Sequence, residues 1–190
     1  MNAASLIELS SSGKFLSNAL TQSLQIGVDL LEFRTRDEAL CSANLFSCSK
    51  SQVSHEAIAF LTLLNHALHF YEGWLMNETN VNDLELIANK WLMPEIHKAR
   101  DTSHSDALIQ IKDITSSIQY HIKEKIKSSS MYNPDHWGVF LNGGKLLEPH
   151  EVWLPLQNCN VIALANEWNE MEFLYETPNS FILFSWSTGA

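Results

Sequence analysis

Eight histidines give this chain its first candidate chemistry. The apolar spacing predicts a helix over 52–76, and at 100° per residue His55, His66 and His69 fall within about 60° of one another on it. His66 and His69 are one turn apart, and Glu72 follows one turn later. Two imidazoles and a carboxylate on one helix edge are donors a divalent metal accepts. His55 stands about 16 Å away along the same axis and cannot share that ion. The pattern is neither HExxH nor the ExxH of di-iron bundles. Polar-face or interface histidines satisfied by neighbours explain the stripe better, so a metal-assisted enzyme on His66, His69 and Glu72 stands only as the alternative reading.

Nucleophilic chemistry has less support. No GxSxG occurs, and Cys41, Cys48 and Cys159 form no CxxC and no disulfide framework. Asn142-Gly143-Gly144-Lys145 carries glycines and a lysine but opens no helix, so a hairpin turn accounts for it without a phosphate. No catalytic residue and no cofactor is assigned.

Carboxylates and aromatics near the C-terminus make the stronger constellation. Glu167, Trp168, Glu170, Glu172, Tyr175 and Glu176 fall within ten residues. From Met131 onward seven acids stand against Lys145 alone, while the first 130 residues carry 15 acids and 11 bases. The whole chain has a formal charge of −10. Such a field repels nucleic acid and anionic membrane, and it attracts a basic protein surface. Aromatic anchors beside steering charges are the composition of a protein-binding face. The expected function is therefore stoichiometric binding of a basic protein, as by an immunity-type inhibitor of a nuclease-like toxin. The contact residues would be Glu167, Trp168, Glu170, Glu172, Tyr175 and Glu176.

The elements that must position these residues follow from periodicity. Val161–Trp168, Met171–Glu176 and Phe181–Thr188 read as a three-stranded meander rich in aromatic and branched residues. In the middle strand Met171, Phe173 and Tyr175 point one way, and Glu170, Glu172, Leu174 and Glu176 the other. Phe181-Ile182-Leu183-Phe184 is apolar on both faces, so this strand belongs inside a sheet with helices covering it. Gly138–Leu141 and Lys145–Leu147 form a hairpin about Asn142-Gly143, and Val152–Leu156 is a further strand. Upstream, helices are expected over about 14–31, 36–46, 52–76, 83–92 and 106–127. Thr35 and Glu38 form a capping box for the second, and Ser105 caps the last.

The sum is an α+β fold. A largely helical part, 1–130, packs on a C-terminal antiparallel sheet of about five strands, 131–190, in one domain of 190 residues. No apolar run approaches the roughly 18 residues a membrane span needs, and the N-terminus lacks a secretory pattern. With an odd number of cysteines, a reducing cytoplasm is the expected compartment. Nothing in the chain sets an oligomeric state.

Overall fold

The computed structural model describes residues 1–34, 43–71, 88–128, 137–146 and 153–188, with the backbone alone over 125–128. Helices α1 (Ala3–Ser10) and α2 (Gly13–Ser23) lead into strands β1 (Asp29–Arg34) and β2 (Ala43–Ser49). Helix α3 (Glu56–Tyr71) follows. A π-helical turn over Ala88–Leu92 then runs into the short α4 (Met93–Ile96), β3 (Arg100–Thr102) and the long α5 (His104–Ser128). The chain continues with β4 (Gly138–Leu141), β5 (Gly144–Leu146), β6 (Val161–Glu167), β7 (Glu170–Glu176) and β8 (Ser180–Ser187).

All eight strands form one antiparallel sheet in the order β3-β6-β7-β8-β2-β1-β4-β5. Strands and helices therefore interleave along the chain, and the division into a helical 1–130 and a β 131–190 does not hold. β1, β2 and β3 all come from the first part. β2 lies beside β8, at the centre of the sheet.

Two apolar layers sandwich the sheet, because its central strands alternate between them. Phe46, Leu174, Phe181 and Leu183 pack under α1, α2, α3 and α4 against Leu6, Leu20, Phe60 and Ile96. Leu45, Phe173, Ile182 and Phe184 turn to the other face, where Ala107, Ile111, Ile118 and Ile122 of α5 cover them. The fully apolar Phe181–Phe184 run thus meets helices on both sides, as its pattern predicts. Burying a side chain such as Phe46 or Phe184 is worth about 1.5–3 kcal/mol, which is why the helices dock on these strands.

Differences from the periodicity have local causes. The first long helix stops at Ser23, leaving Leu24 67% exposed, and Asp29–Arg34 becomes a strand. Its short apolar run fits either period, and pairing with β2 and β4 decides it. Of the helix expected over 36–46, Ala43–Phe46 is strand, with Leu45 and Phe46 buried on opposite faces. The Thr35–Glu38 pattern and Cys41 lie outside the described residues, as does the start of the helix expected over 83–92. Trp153–Leu156 is not a strand, and Val152 is outside the described residues.

Two turns set the frame of the β region. Asn142 (φ 49°) and Gly143 (φ 80°) both adopt positive φ, the mark of a two-residue hairpin turn. The Asn142 amide also donates to Asp29 Oδ1 and its carbonyl oxygen accepts from Leu30 N, both at 2.8 Å. The hairpin is thereby fixed to the start of β1. At α5 the cap is Ser103, whose hydroxyl accepts from Asp106 N at 3.1 Å. Ser105, the expected cap, is already inside the helix.

Candidate functional site

The β6–β7 hairpin carries the acidic and aromatic cluster. Glu167 pairs with Glu170, so the two turn residues are Trp168 and Asn169 rather than Asn169 and Glu170. Asn169 O accepts from Thr188 N at 2.8 Å, which ties the turn to the end of β8. Trp168 consequently stands at the tip of a paired hairpin, 77% exposed. Glu167 and Glu170 flank it, both exposed. Arg100 of β3 approaches Glu167 at 3.8 Å, a surface pair worth roughly 0–1 kcal/mol.

The alternation along β7 is as predicted, but its exposure is not. Glu172 is half-buried on the face that α1 to α4 cover. Glu176 is half-buried and accepts from Lys50 Nζ at 2.6 Å. Tyr175 is fully buried on the α5 side, and its hydroxyl donates to Trp153 O at 2.5 Å. Burial without a compensating cation holds the Tyr175 phenol well above its usual range. Tyr175 is therefore no surface contact, Glu172 and Glu176 are half-buried, and the exposed members of the cluster are Glu167, Trp168 and Glu170. Helices on both faces of the sheet leave the Glu172 carboxylate only partly open to solvent.

Glu172 instead ends a polar row that the sequence does not reveal. Register sets Glu32, Asn44, Ser185 and Glu172 side by side on β1, β2, β8 and β7. The amide of Asn44 donates to Tyr71 Oη at 2.7 Å. Tyr71 donates to Ser185 Oγ at 3.1 Å, and Ser185 donates to Glu172 Oε1 at 3.1 Å. Each donor in this chain points toward the carboxylate. Glu32, also buried, takes two hydrogen bonds from Arg34. Burial pushes the Glu172 carboxyl up to about 7, with Glu170 and Glu95 adding to the rise; the Ser185 hydroxyl and Lys98 oppose it. A carboxyl titrating near neutrality at the end of a hydroxyl relay can take up or release a proton inside the fold. Strand register and the end of α3 together assemble it, since its residues span positions 32 to 185.

The histidine stripe is interrupted. His55 precedes α3 and caps it, its Nδ1 accepting from Ala57 N at 3.1 Å while its ring meets Phe15 edge-on. His66 and His69 are on the helix as expected. Burial lowers the pKa of both, and for His66 the neighbouring His69 lowers it further, against a hydrogen bond to the Ser23 backbone. Glu72 lies outside the described residues. Among the described residues no group of three or more His, Cys, Asp or Glu is gathered closely enough to hold a metal ion.

The two thiols among the described residues are held in their protonated form. Cys48 is buried in the layer under α3 and its pKa is pushed up to about 12 by that burial. Cys159 is half-buried and likewise raised, chiefly by desolvation. Neither is an activated nucleophile. No family model matches this chain, and comparison with characterised proteins and with solved structures finds none similar to it.

Proposed function

We propose that the protein acts by stoichiometric binding of a basic protein partner, docking it on the tip of the β6–β7 hairpin. An immunity-type inhibitor of a nuclease-like toxin works in this way. The observation that carries the reading is Trp168, a large aromatic standing 77% exposed between two exposed glutamates. Tryptophan is a preferred anchor of binding energy, and most of the Trp168 indole is left open to a partner. Its base is held on both sides, because β7 is paired along its length with β8 and over Glu170–Leu174 with β6. Glu167 and Glu170 supply the steering charge, within a chain of net −10.

The compartment proposed is the cytoplasm, where a toxin-neutralising protein and its free thiols belong together. No helix among the described residues is long and apolar enough to cross a membrane.

Affinity capture with the intact protein tests the proposal. Wild-type protein should retain a basic protein in one-to-one ratio, released as salt rises, and Trp168→Ala should lose it. Equal capture by Trp168→Ala, or retention of acidic proteins only, would contradict the assignment of the hairpin tip.

A further inference from the structure

The outer face of α5 carries a pattern of its own. Ala107, Ile111, Ile118 and Ile122 hold the helix on the sheet, and the opposite side looks to solvent. At 100° per residue Asp106, Ile109, Asp113, Ser116, Tyr120 and Lys123 fall within about 100° of one another on that side. All six are exposed. Two are large apolar side chains, Ile109 at 57% and Tyr120 at 66% exposure. They stand on one stripe, about 16 Å apart along the axis.

The charges on this face are ordered too. Asp106 begins the stripe and Lys123 ends it, an order that complements the dipole of α5. Neither has an opposite charge three or four positions away, and among the described residues neither joins an ion pair. Ile109 and Tyr120 are equidistant in sequence from the midpoint between Ile114 and Thr115, and so are Asp106 and Lys123. A two-fold axis through that midpoint, perpendicular to the helix, would therefore match both pairs at once. It sets Ile109 against the partner's Tyr120 and Asp106 against the partner's Lys123, each contact being made twice. Asp113 meets its own copy near the crossing, where the exposed Lys112 of each chain offsets it. A parallel pair would instead set Asp106 against Asp106 and Lys123 against Lys123.

We propose that this face of α5 docks antiparallel on α5 of a second copy of the chain, about a two-fold axis at Ile114–Thr115. Apolar contact of Ile109 with Tyr120 supplies the attraction, and the Asp106–Lys123 pairs fix direction and register. One helix face is smaller than the roughly 1,600 Å² of a standard interface, so the dimer is weak, with a dissociation constant on the order of 100 μM. The surface shares no residue with the hairpin tip and does not depend on the protein-binding reading.

Sedimentation equilibrium of the intact protein, from about 10 μM to about 1 mM, tests this. A monomer–dimer equilibrium is expected, with no larger species, because a two-fold contact closes on itself. Tyr120→Ser changes an exposed position and should weaken the dimer about tenfold or more. Asp106→Lys and Lys123→Glu should each weaken it by a similar factor, since like charges then face each other at both ends. An equimolar mixture of those two variants should form a heterodimer about as strong as the wild-type dimer, because every facing pair is again of opposite sign. Loss of helix stability alone would not be reversed by mixing. A monomer at every concentration would overturn the proposal, as would a dimer indifferent to Tyr120→Ser or charge variants that do not recover on mixing.

Discussion

Tyr71 donates its phenolic proton to Ser185 Oγ at 3.1 Å, joining the last residue of α3 to the middle of the sheet. Through Ser185 the contact continues to Glu172, and through Asn44 it reaches β2. A helix end, two central strands and a carboxylate are thus coupled by three hydrogen bonds.

Glu172 makes stability depend on pH. Its folded pKa, about 7, lies above the ordinary value of 4.5, so the folded state binds this proton more tightly than the unfolded chain. Its contribution is fully present below about pH 4.5 and is lost as pH rises through 7. The polar and charged groups that face it are Glu170, Glu95, Lys98, Ser185 and Tyr71. Glu172→Gln should flatten the urea midpoint between pH 5 and 8, and should stabilise the protein at pH 8 by up to about 3 kcal/mol. An unchanged pH profile in the variant would place the titration elsewhere.

Tyr71→Phe removes the shared partner of Asn44 and Ser185 without changing the ring. Two buried polar groups lose a hydrogen bond, at a cost of about 1–3 kcal/mol. The cost should be non-additive with Ser185→Ala, because the two residues share one chain of donors. Denaturant unfolding of the double-mutant cycle measures the coupling, and strict additivity would show that the relay is not a unit.

The Asn142-Gly143 turn predicts a contrast between two glycines. Gly143 has φ +80°, so Gly143→Ala should destabilise by about 1 kcal/mol despite open space around it. Gly13 opens α2, has no positive φ and meets nothing within 4 Å, so Gly13→Ala should stabilise by about 0.4–1 kcal/mol. Thermal midpoints of the two variants should move in opposite directions.

Local signals were legible in the sequence and long-range ones were not. The β7 alternation, the Asn142-Gly143 turn and the doubly apolar β8 each depend on a few consecutive residues, and all three appear in the structure. β1 and β2 were hidden because Val28–Phe33 and Ala43–Phe46 suit either a helix or a strand until their partners are known. β1 finds its partners in the nearby β2 and in β4, more than a hundred residues downstream, and β2 finds β8. The polar row was invisible for the same reason: Glu32, Asn44 and Ser185 are unremarkable until register aligns them with Glu172. At the hairpin, a one-residue change of turn moved Trp168 from the end of a strand to the tip. The glutamate face was read correctly as one face. Its exposure is uneven, with Glu170 exposed and Glu172 and Glu176 half-buried, because alternation cannot say which sheet face a helix will cover.

The hairpin tip as an anchor for a basic partner is tested most directly by association and dissociation rates of the captured partner at several salt concentrations. Trp168→Ala should raise the dissociation rate at least tenfold and leave the salt dependence of association intact, since a buried anchor is worth about 2 kcal/mol or more. Glu167→Gln with Glu170→Gln should instead slow association and flatten that salt dependence, with dissociation little changed. Rates indifferent to all three substitutions would contradict the assignment of the β6–β7 tip as the docking surface.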